Sequence, residues 1–213
     1  KEDGSLYVNE WYTNQLGNHY YYGQKGEGYS GLHEVDGKTY YFSWGKVCTN
    51  QCVSENGKSY YCDHEGSVSD ISGDGWHQVG DYYFYIKNGQ HLSNAVEKIG
   101  DSYYGFDEKG FLIVNRSFGI WNEKNERSDE YRAKEDGHLY RNEWYVEEDR
   151  TYYYGEDGKA YSGLQEVDGI RYYFYPDGCR YQNQSVTVDG KVYYCKPDGS
   201  AIELQNNNWT KVD

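Results

Sequence analysis

The segments GLHEVDGKTYYF (residues 31–42) and GLQEVDGIRYYF (residues 163–174) decide the fold of this chain. Each places Asp-Gly between two short runs, and the second run ends in Tyr-Tyr-Phe. Asp-Gly and Asn-Gly supply the positive φ angles that tight hairpin turns require, and aromatic residues favour strands. The segments therefore predict β-hairpins with Asp36-Gly37 and Asp168-Gly169 at their tips.

Both segments belong to a long repeated unit. KEDGSLYVNEWY begins at Lys1 and KEDGHLYRNEWY begins at Lys134, an offset of 133 residues. The offset is again 133 where ENGKSYYCDHEGS aligns with VDGKVYYCKPDGS. Self-similarity of this kind is typical of repeat architectures. We predict two copies, at residues 1–133 and 134–213, the second being incomplete.

A shorter unit lies within each copy and is marked by a tyrosine pair. The pairs recur every 20–22 residues with one gap of 49. They are Tyr20/Tyr21, Tyr40/Tyr41, Tyr60/Tyr61, Tyr82/Tyr83, Tyr103/Tyr104, Tyr152/Tyr153, Tyr172/Tyr173 and Tyr193/Tyr194. A lone hairpin is marginal in water, so each must bury aromatic residues against the next. We predict an all-β solenoid of stacked two-stranded hairpins, a single array over residues 1–213.

The gap contains Trp121, Tyr131 and the charged segment NEKNERSDE. Its length leaves room for one degenerate repeat. The density of charge favours a loop, so we predict an irregular insertion at about residues 107–131.

Composition excludes several kinds of partner. Only 37% of the residues are apolar, although 28 are Tyr and 6 are Trp, so one large oily core is not expected. The net charge of −14, with no cluster of Lys or Arg, argues against nucleic acid and anionic lipid. No run approaches the roughly 20 apolar residues of a membrane span. We expect a neutral or cationic ligand.

GLHEVDGKTYYF and GLQEVDGIRYYFYPDG resemble the cell-wall and glucan-binding repeats of Gram-positive surface proteins. Such repeats occur in choline-binding proteins, in glucansucrase glucan-binding domains and in the C-terminal arrays of large clostridial toxins. The resemblance covers nearly the whole chain. It implies a secreted, cell-wall-associated protein with shallow aromatic ligand sites between hairpins. Since no basic-then-apolar leader begins at Lys1, we expect that a leader was removed or that the sequence is an excised segment.

The residue before each tyrosine pair favours saccharide over choline. Choline-type repeats place Trp there to complete an aromatic cage. This chain instead has His19, Thr39, Ser59, Asp81, Ser102, Thr151, Arg171 and Val192. A cage that lacks one wall should hold a quaternary ammonium weakly. We expect a polysaccharide or cell-wall polymer as partner, with glucan ahead of choline-bearing teichoic acid.

Five tryptophans stand where the resembled repeats have Gly-Trp: Trp11, Trp76, Trp121, Trp144 and Trp209. Core packing between hairpins is the alternative role for each. Trp11 and Trp144 are favoured as ligand contacts because equivalent tyrosines surround both, and Trp44 is expected to be exposed in a turn. The predicted ligand-binding residues are Trp11, Tyr22, Tyr29, His33, Tyr40, Trp76, Trp121, Trp144, Tyr154, Tyr161, Gln165 and Tyr172.

The five cysteines allow two roles. Cys179 with Cys195, and Cys62 with Cys48 or Cys52, could link adjacent hairpins by disulfides, although an odd thiol would remain. Alternatively, Cys62 and Cys195 are small buried side chains, since each follows a tyrosine pair as Phe42, Phe84 and Phe174 do. No C-x-x-C spacing indicates a metal site.

No motif singles out catalytic residues. Acidic residues are spread through the turns, the 6 histidines are isolated, and neither a nucleophile elbow nor a metalloprotease motif is present. We predict a non-catalytic module without cofactor or metal, whose weak sites act together on one polymer. Two alternatives stay open. An adhesin or toxin-like module that binds a host glycan or protein should show a contiguous exposed aromatic patch, and a structural spacer should have buried tryptophans.

Overall fold

A computed structural model describes residues 1–204, and this part of the chain is all-β. The described residues form two compact units, Lys1–Val96 with Gly105–Ile113, and Glu97–Tyr104 with residues 114–204. No helix able to cross a membrane occurs in the described range. Trp209 lies outside the described residues.

Nine hairpins, numbered here in chain order, follow one another over residues 1–204. Hairpins 1 to 4 are β1 (Glu10–Thr13) with β2 (His19–Tyr22), β3 (Gly31–Val35) with β4 (Lys38–Ser43) and a short β5 (Lys46–Val47), β6 (Gln51–Glu55) with β7 (Lys58–Cys62) and β8 (Val68–Asp70), and β9 (Gly75–Val79) with β10 (Tyr82–Lys87) and β11 (Gln90–His91). Hairpins 5 to 9 are β12 (Ala95–Ile99) with β13 (Ser102–Phe106), β14 (Ser117–Asn122) with β15 (Arg127–Arg132), β16 (Glu143–Glu147) with β17 (Arg150–Tyr154), β18 (Gly163–Val167) with β19 (Ile170–Phe174), and β20 (Gln184–Val188) with β21 (Lys191–Cys195) and β22 (Ala201–Leu204). The prediction of an all-β chain of hairpin repeats is confirmed.

The tight turns at the hairpin tips have the positive φ angles that their Asp-Gly sequences predict. In Asp36-Gly37 the φ angles are 53° and 77°, and in Asp168-Gly169 they are 50° and 77°. Two successive positive φ angles match the twist of the flanking strands, which is why Asp-Gly and Asn-Gly recur here. In Asp157-Gly158, by contrast, only the glycine has a positive φ, and the Asp157 carboxylate accepts the Lys159 N–H at 3.1 Å. That turn is therefore of a different kind, stabilised by an Asp side chain.

One buried side chain recurs at the same position of the hairpins. We call the last residue of the second strand of each hairpin the closing position; it is the residue before the last in hairpins 2 and 4 and the residue just after the strand in hairpin 6. The closing residues are Tyr22, Phe42, Cys62, Ile86, Phe106, Ala133, Tyr154, Phe174 and Cys195. All are buried except Tyr22, which is half-buried. Small and large side chains both occur at this position, so no single residue type marks it.

Each closing residue pairs with a residue of the returning segment, which we call the facing position. The facing residues are Gly28, Val47, Val68, His91, Leu112, Leu139, Ala160, Arg180 and Ala201. Four of their N–H groups donate to the preceding hairpin; Ala160 donates to the Glu130 carbonyl and Arg180 to the Thr151 carbonyl, both at 2.7 Å. Successive hairpins are thus joined by backbone bonds as well as by packing.

The predicted irregular insertion is wrong. Residues 117–132 form hairpin 6, in which β14 and β15 pair from Ser117↔Arg132 to Asn122↔Arg127. NEKNERSDE supplies its turn and part of β15. The charge of Asp129 is compensated, because its carboxylate accepts a hydrogen bond from Asn122 at 2.7 Å and pairs with Lys159 at 3.0 Å. A charged sequence therefore still pairs as a regular hairpin.

Hairpin 4 differs in register from the tyrosine-pair pattern. Tyr85 lies opposite Trp76, as Tyr21 lies opposite Trp11, so Ile86 is the closing residue. The prediction that Phe84 fills the Phe42 position is therefore wrong by two residues. Phe84 is still fully buried, because a shift of two residues keeps a side chain on the same face of a strand.

The cysteines are free thiols in this structure. Cys62 and Cys195 occupy the closing position and are fully buried, as the small-side-chain interpretation predicts. Burial raises the pKa of the Cys62 thiol to about 12. No cystine links the hairpins over residues 1–204, so packing and hydrogen bonds hold them together.

Candidate functional site

The first aromatic site, the Trp11 platform, joins hairpins 1 and 2. It consists of Trp11, Tyr21, Tyr40 and Phe42. Trp11 packs edge to face with its cross-strand neighbour Tyr21 at 5.1 Å between ring centroids and with Tyr40 at 5.2 Å. Its Nε1–H donates to Asp36 Oδ2 at 3.3 Å, which fixes the indole against the turn of hairpin 2. Trp11 stays 38% exposed, so the platform is open to solvent.

The second copy builds the same arrangement, the Trp144 platform, from hairpins 7 and 8. It consists of Trp144, Tyr153, Tyr172 and Phe174. The ring centroid of Trp144 lies 5.0 Å from that of Tyr153 and 5.0 Å from that of Tyr172, with interplanar angles of 68° and 72°. The corresponding angles in the first copy are 68° and 70°. The duplication in sequence has therefore preserved a three-dimensional site.

A third arrangement, the Trp76 platform, joins hairpins 4 and 5. Trp76 packs edge to face with Tyr85 at 5.2 Å and lies 6.0 Å from Phe106. The indole is 42% exposed. Of the predicted tryptophans, Trp11, Trp76 and Trp144 therefore share one structural setting.

The predicted Tyr22 and Tyr154 do not line these platforms. Each follows its platform tyrosine in the strand and so points to the opposite face of the hairpin. Tyr22 stacks on Tyr7 at 5.5 Å, and Tyr154 lies 5.8 Å from Tyr140. Burial raises the pKa of Tyr154 well above its ordinary value. Each of these two tyrosines packs against tyrosines of its own copy, away from the platform.

Tyr29 and Tyr161 lie at the edges of the platforms. Tyr29 is 5.2 Å from Tyr21, and it stacks on the His33 imidazole at 4.1 Å. Tyr161 lies 5.0 Å from Tyr153. They extend each aromatic surface beyond its tryptophan.

His33 and Gln165 each contact the turn before their own strand. His33 Nε2 lies 2.9 Å from the Ser30 carbonyl, and Gln165 Nε2 donates to the Ser162 carbonyl at 3.0 Å. The structure thus gives both side chains a role in fixing that turn, which the sequence pattern did not indicate.

Trp121 and Trp44 lie apart from this arrangement. Trp121, 62% exposed, has Ser128 as its cross-strand partner in hairpin 6. Trp44 is 88% exposed at the tip of a turn, with a φ of 50°, as expected for a turn position. Neither belongs to a platform.

Cations of the chain lie over two of the platforms. Lys38 Nζ is 5.5 Å from the ring centroid of Tyr40. Arg180 Cζ is 5.5 Å from the centroid of Trp144 and 5.8 Å from that of Tyr172. Contacts within about 6 Å are attractive, because the face of an aromatic ring is electronegative. The platforms can therefore accept positive charge as well as apolar surface.

Polar groups adjoin the second platform. Tyr172 lines an open surface depression of about 450 Å³ together with Lys196, Asp198 and Ser200. An aromatic face beside hydrogen-bonding side chains suits a ligand with one apolar and one hydroxylated side. The arrangement offers binding surface without a deep cleft.

Sequence reasoning missed several platform residues. Tyr21 and Tyr153 are the second members of tyrosine pairs, and their pairing opposite Trp11 and Trp144 follows from the hairpin register. Burial raises the pKa of both phenols, so both stay protonated hydrogen-bonding groups at neutral pH.

These features define an all-β repeat protein with aromatic platforms between successive hairpins. No protein-family model and no curated protein matches the chain. Among solved structures it is similar to CbpJ from Streptococcus pneumoniae TIGR4, with 20% identity and a TM-score of 0.48 over 86% of this chain and 62% of that chain. It is similar to the modular autolysin LytC from Streptococcus pneumoniae, with 20% identity and a TM-score of 0.47 over 95% of this chain and 44% of LytC. It is also similar to the choline-binding domain of CbpL from Streptococcus pneumoniae, with 24% identity and a TM-score of 0.48 over 82% of this chain and 87% of that domain. The chain thus spans less than two thirds of CbpJ and of LytC.

Proposed function

We propose that this chain is a non-catalytic module that binds carbohydrate or a cell-wall polymer through its aromatic platforms. The observation that carries the proposal is the repeated platform itself. In three places a tryptophan is held edge to face against a strand tyrosine, and Trp11 and Trp76 remain 38% and 42% exposed. Core packing alone does not require that exposure.

The chemistry of the platforms suits a sugar ring. The C–H face of a pyranose stacks on an indole, and neighbouring phenols and carboxylates hydrogen-bond its hydroxyls. Asp36 lies against Trp11 in the first copy, and Asp198 and Ser200 lie near Tyr172 in the second. The net charge of −14 leaves neutral and cationic polymers as the preferred ligands.

Repetition compensates for weak individual sites. A shallow platform binds one or two sugar rings weakly, but several platforms that engage one polymer raise the overall affinity by roughly 10²- to 10⁴-fold. We expect weak binding of short oligosaccharides and firm retention on the insoluble polymer. The motif resemblance to glucan-binding and cell-wall repeats supports a secreted, surface-associated Gram-positive protein.

The alternatives make different demands on the tryptophans. A spacer should bury them, yet Trp11, Trp44, Trp76 and Trp121 are all exposed. An adhesin or toxin-like receptor-binding module is favoured by Trp44 and Trp121, whose exposed rings lie outside the platforms. That function would depend on Trp44 or Trp121 and not on Trp11.

The test is retention of the chain on insoluble α-glucan, on peptidoglycan with and without teichoic acid, and on choline resin. We expect retention on one polymer, loss of retention in Trp11→Ala plus Trp76→Ala, and no loss in the control Trp44→Asn. Circular dichroism should show that each variant is folded. Retention that survives the double variant, or retention lost in the Trp44 control, would contradict the platform mechanism.

A further inference from the structure

The Trp11 and Trp144 platforms share their aromatic residues but differ at the facing position. In the first copy this position holds Val47, which is buried and pairs with Phe42. In the second copy it holds Arg180, which pairs with Phe174. The other facing residues over residues 1–204 are apolar or glycine, apart from His91 in hairpin 4. Arg180 therefore places a charge where most of the repeats place a small apolar side chain.

The Arg180 side chain is directed into its own platform. Its guanidinium lies over both Trp144 and Tyr172, at 5.5 Å and 5.8 Å from their ring centroids. Gly199 covers it from the other side, since a Cβ at that position would lie 2.3 Å from Arg180 Nε. The guanidinium is thus enclosed between the aromatic rings and the following turn.

Arg180 Nε is buried without a hydrogen-bond partner among the residues that the structure describes. A buried donor that lacks a partner is normally avoided in proteins. Its position is explained by attraction to the two ring faces, the same interaction that binds a cationic ligand to aromatic residues. Consistent with this coverage, Trp144 is half-buried whereas Trp11 is exposed.

We propose that Arg180 is a built-in occupant that closes the Trp144 platform, so that the Trp11 platform is the ligand-competent member of the duplicated pair. This inference rests on the proposed function, which it refines by making the two copies unequal. It makes residue 180 a specificity-determining position. In the second copy a ligand then has to displace a tethered guanidinium from the indole of Trp144. In the first copy Lys38 lies over Tyr40, and no cation of the described residues lies over Trp11.

The experiment uses the whole chain labelled with 5-fluorotryptophan, in which ¹⁹F NMR gives each tryptophan its own signal, assigned with Trp→Phe variants. The variant Arg180→Val copies the residue of the first copy and is compared with Arg127→Val, which removes an exposed arginine from β15. A paramagnetic quencher first reports the solvent exposure of Trp144 without any ligand. Isomaltotriose and chitotriose are then the probes for binding.

We expect quenching of the Trp144 signal to rise to that of Trp11 in Arg180→Val and to stay at the wild-type level in Arg127→Val. We expect a probe to shift the Trp11 signal in the wild type and both signals in Arg180→Val. Unchanged quenching of Trp144 in Arg180→Val, or equal shifts of Trp11 and Trp144 in the wild type, would overturn the inference. If neither probe shifts any tryptophan in any variant, saccharide binding at the platforms fails, while the quenching result still decides whether Arg180 closes its platform.

Discussion

Replacing Phe174 by Ala tests whether the closing position is the core of the repeats. Phe174 is 0% exposed, and its ring lies 6.0 Å from Tyr161 and 6.2 Å from Trp144. Truncating a fully buried Phe to Ala removes its transfer free energy and leaves a cavity, at a cost of about 3–5 kcal/mol. Cys62→Ala, at the same position of hairpin 3, removes only one heavy atom and should cost about 1 kcal/mol. Ile170→Ala, which alters a 47% exposed residue of β19, should change stability by less than about 0.5 kcal/mol.

Urea denaturation followed by tryptophan fluorescence gives the order of the three variants. Hydrogen exchange should locate the loss in hairpins 7 to 9, because each repeat of such an array contacts only its neighbours. A Phe174→Ala variant as stable as Ile170→Ala would refute the assignment of the closing position as core. Equal loss of protection in hairpins 1 to 3 would refute the neighbour-only coupling.

Three further predictions follow from single residues. His91 is half-buried, with Nδ1 2.9 Å from Ser54 Oγ, and burial lowers the pKa of its imidazole. Below the ordinary His pKa of about 6.5 the unfolded state therefore binds more protons than the folded state, so the free energy of unfolding should be full above that pH and fall as the pH drops below it. Urea midpoints at about pH 7.5 and 5.5 should show this dependence in the wild type and lose it in His91→Gln. Trp44 has a φ of 50° and is 88% exposed, so Trp44→Asn should raise stability by about 0.5–1 kcal/mol in thermal unfolding, and a lower melting temperature would argue against strain there. Among the five cysteines, Cys179 alone is half-buried, so it should react with Ellman's reagent in the native state, whereas Cys62 and the other buried cysteines should react only after denaturation. Fewer than five reactive thiols in the denatured chain would instead indicate a disulfide.

The hairpins themselves could be predicted because their signals are local. Asp36-Gly37 and Asp168-Gly169 specify backbone angles that few other dipeptides adopt, and the structure has those angles. The duplicated tryptophans could also be predicted, because Trp11 and Trp144 have equivalent neighbours in the sequence and in the structure. Turn chemistry and repeat alignment need no knowledge of distant contacts.

Register and charged segments were harder to predict. The pair Tyr82/Tyr83 marks hairpin 4, but the closing residue Ile86 lies two residues later than the pair predicts. Aromatic residues suit several positions of one strand, so the pair does not fix the register. NEKNERSDE was predicted as irregular from its charge, yet Asp129 finds Lys159 from the next hairpin. Such pairing depends on what the rest of the fold brings near.

The sequence by itself determined the repeat, the hairpin turns and the aromatic character of the surface, because each depends on residues close together in the chain. The tertiary structure decided which aromatics form platforms and which are core, separating Trp11 and Tyr40 from the neighbouring Tyr22. It also decided that Arg180 lies over Trp144. These outcomes depend on which face of one hairpin meets the next, and a face is set by strand register and by packing between hairpins rather than by local composition.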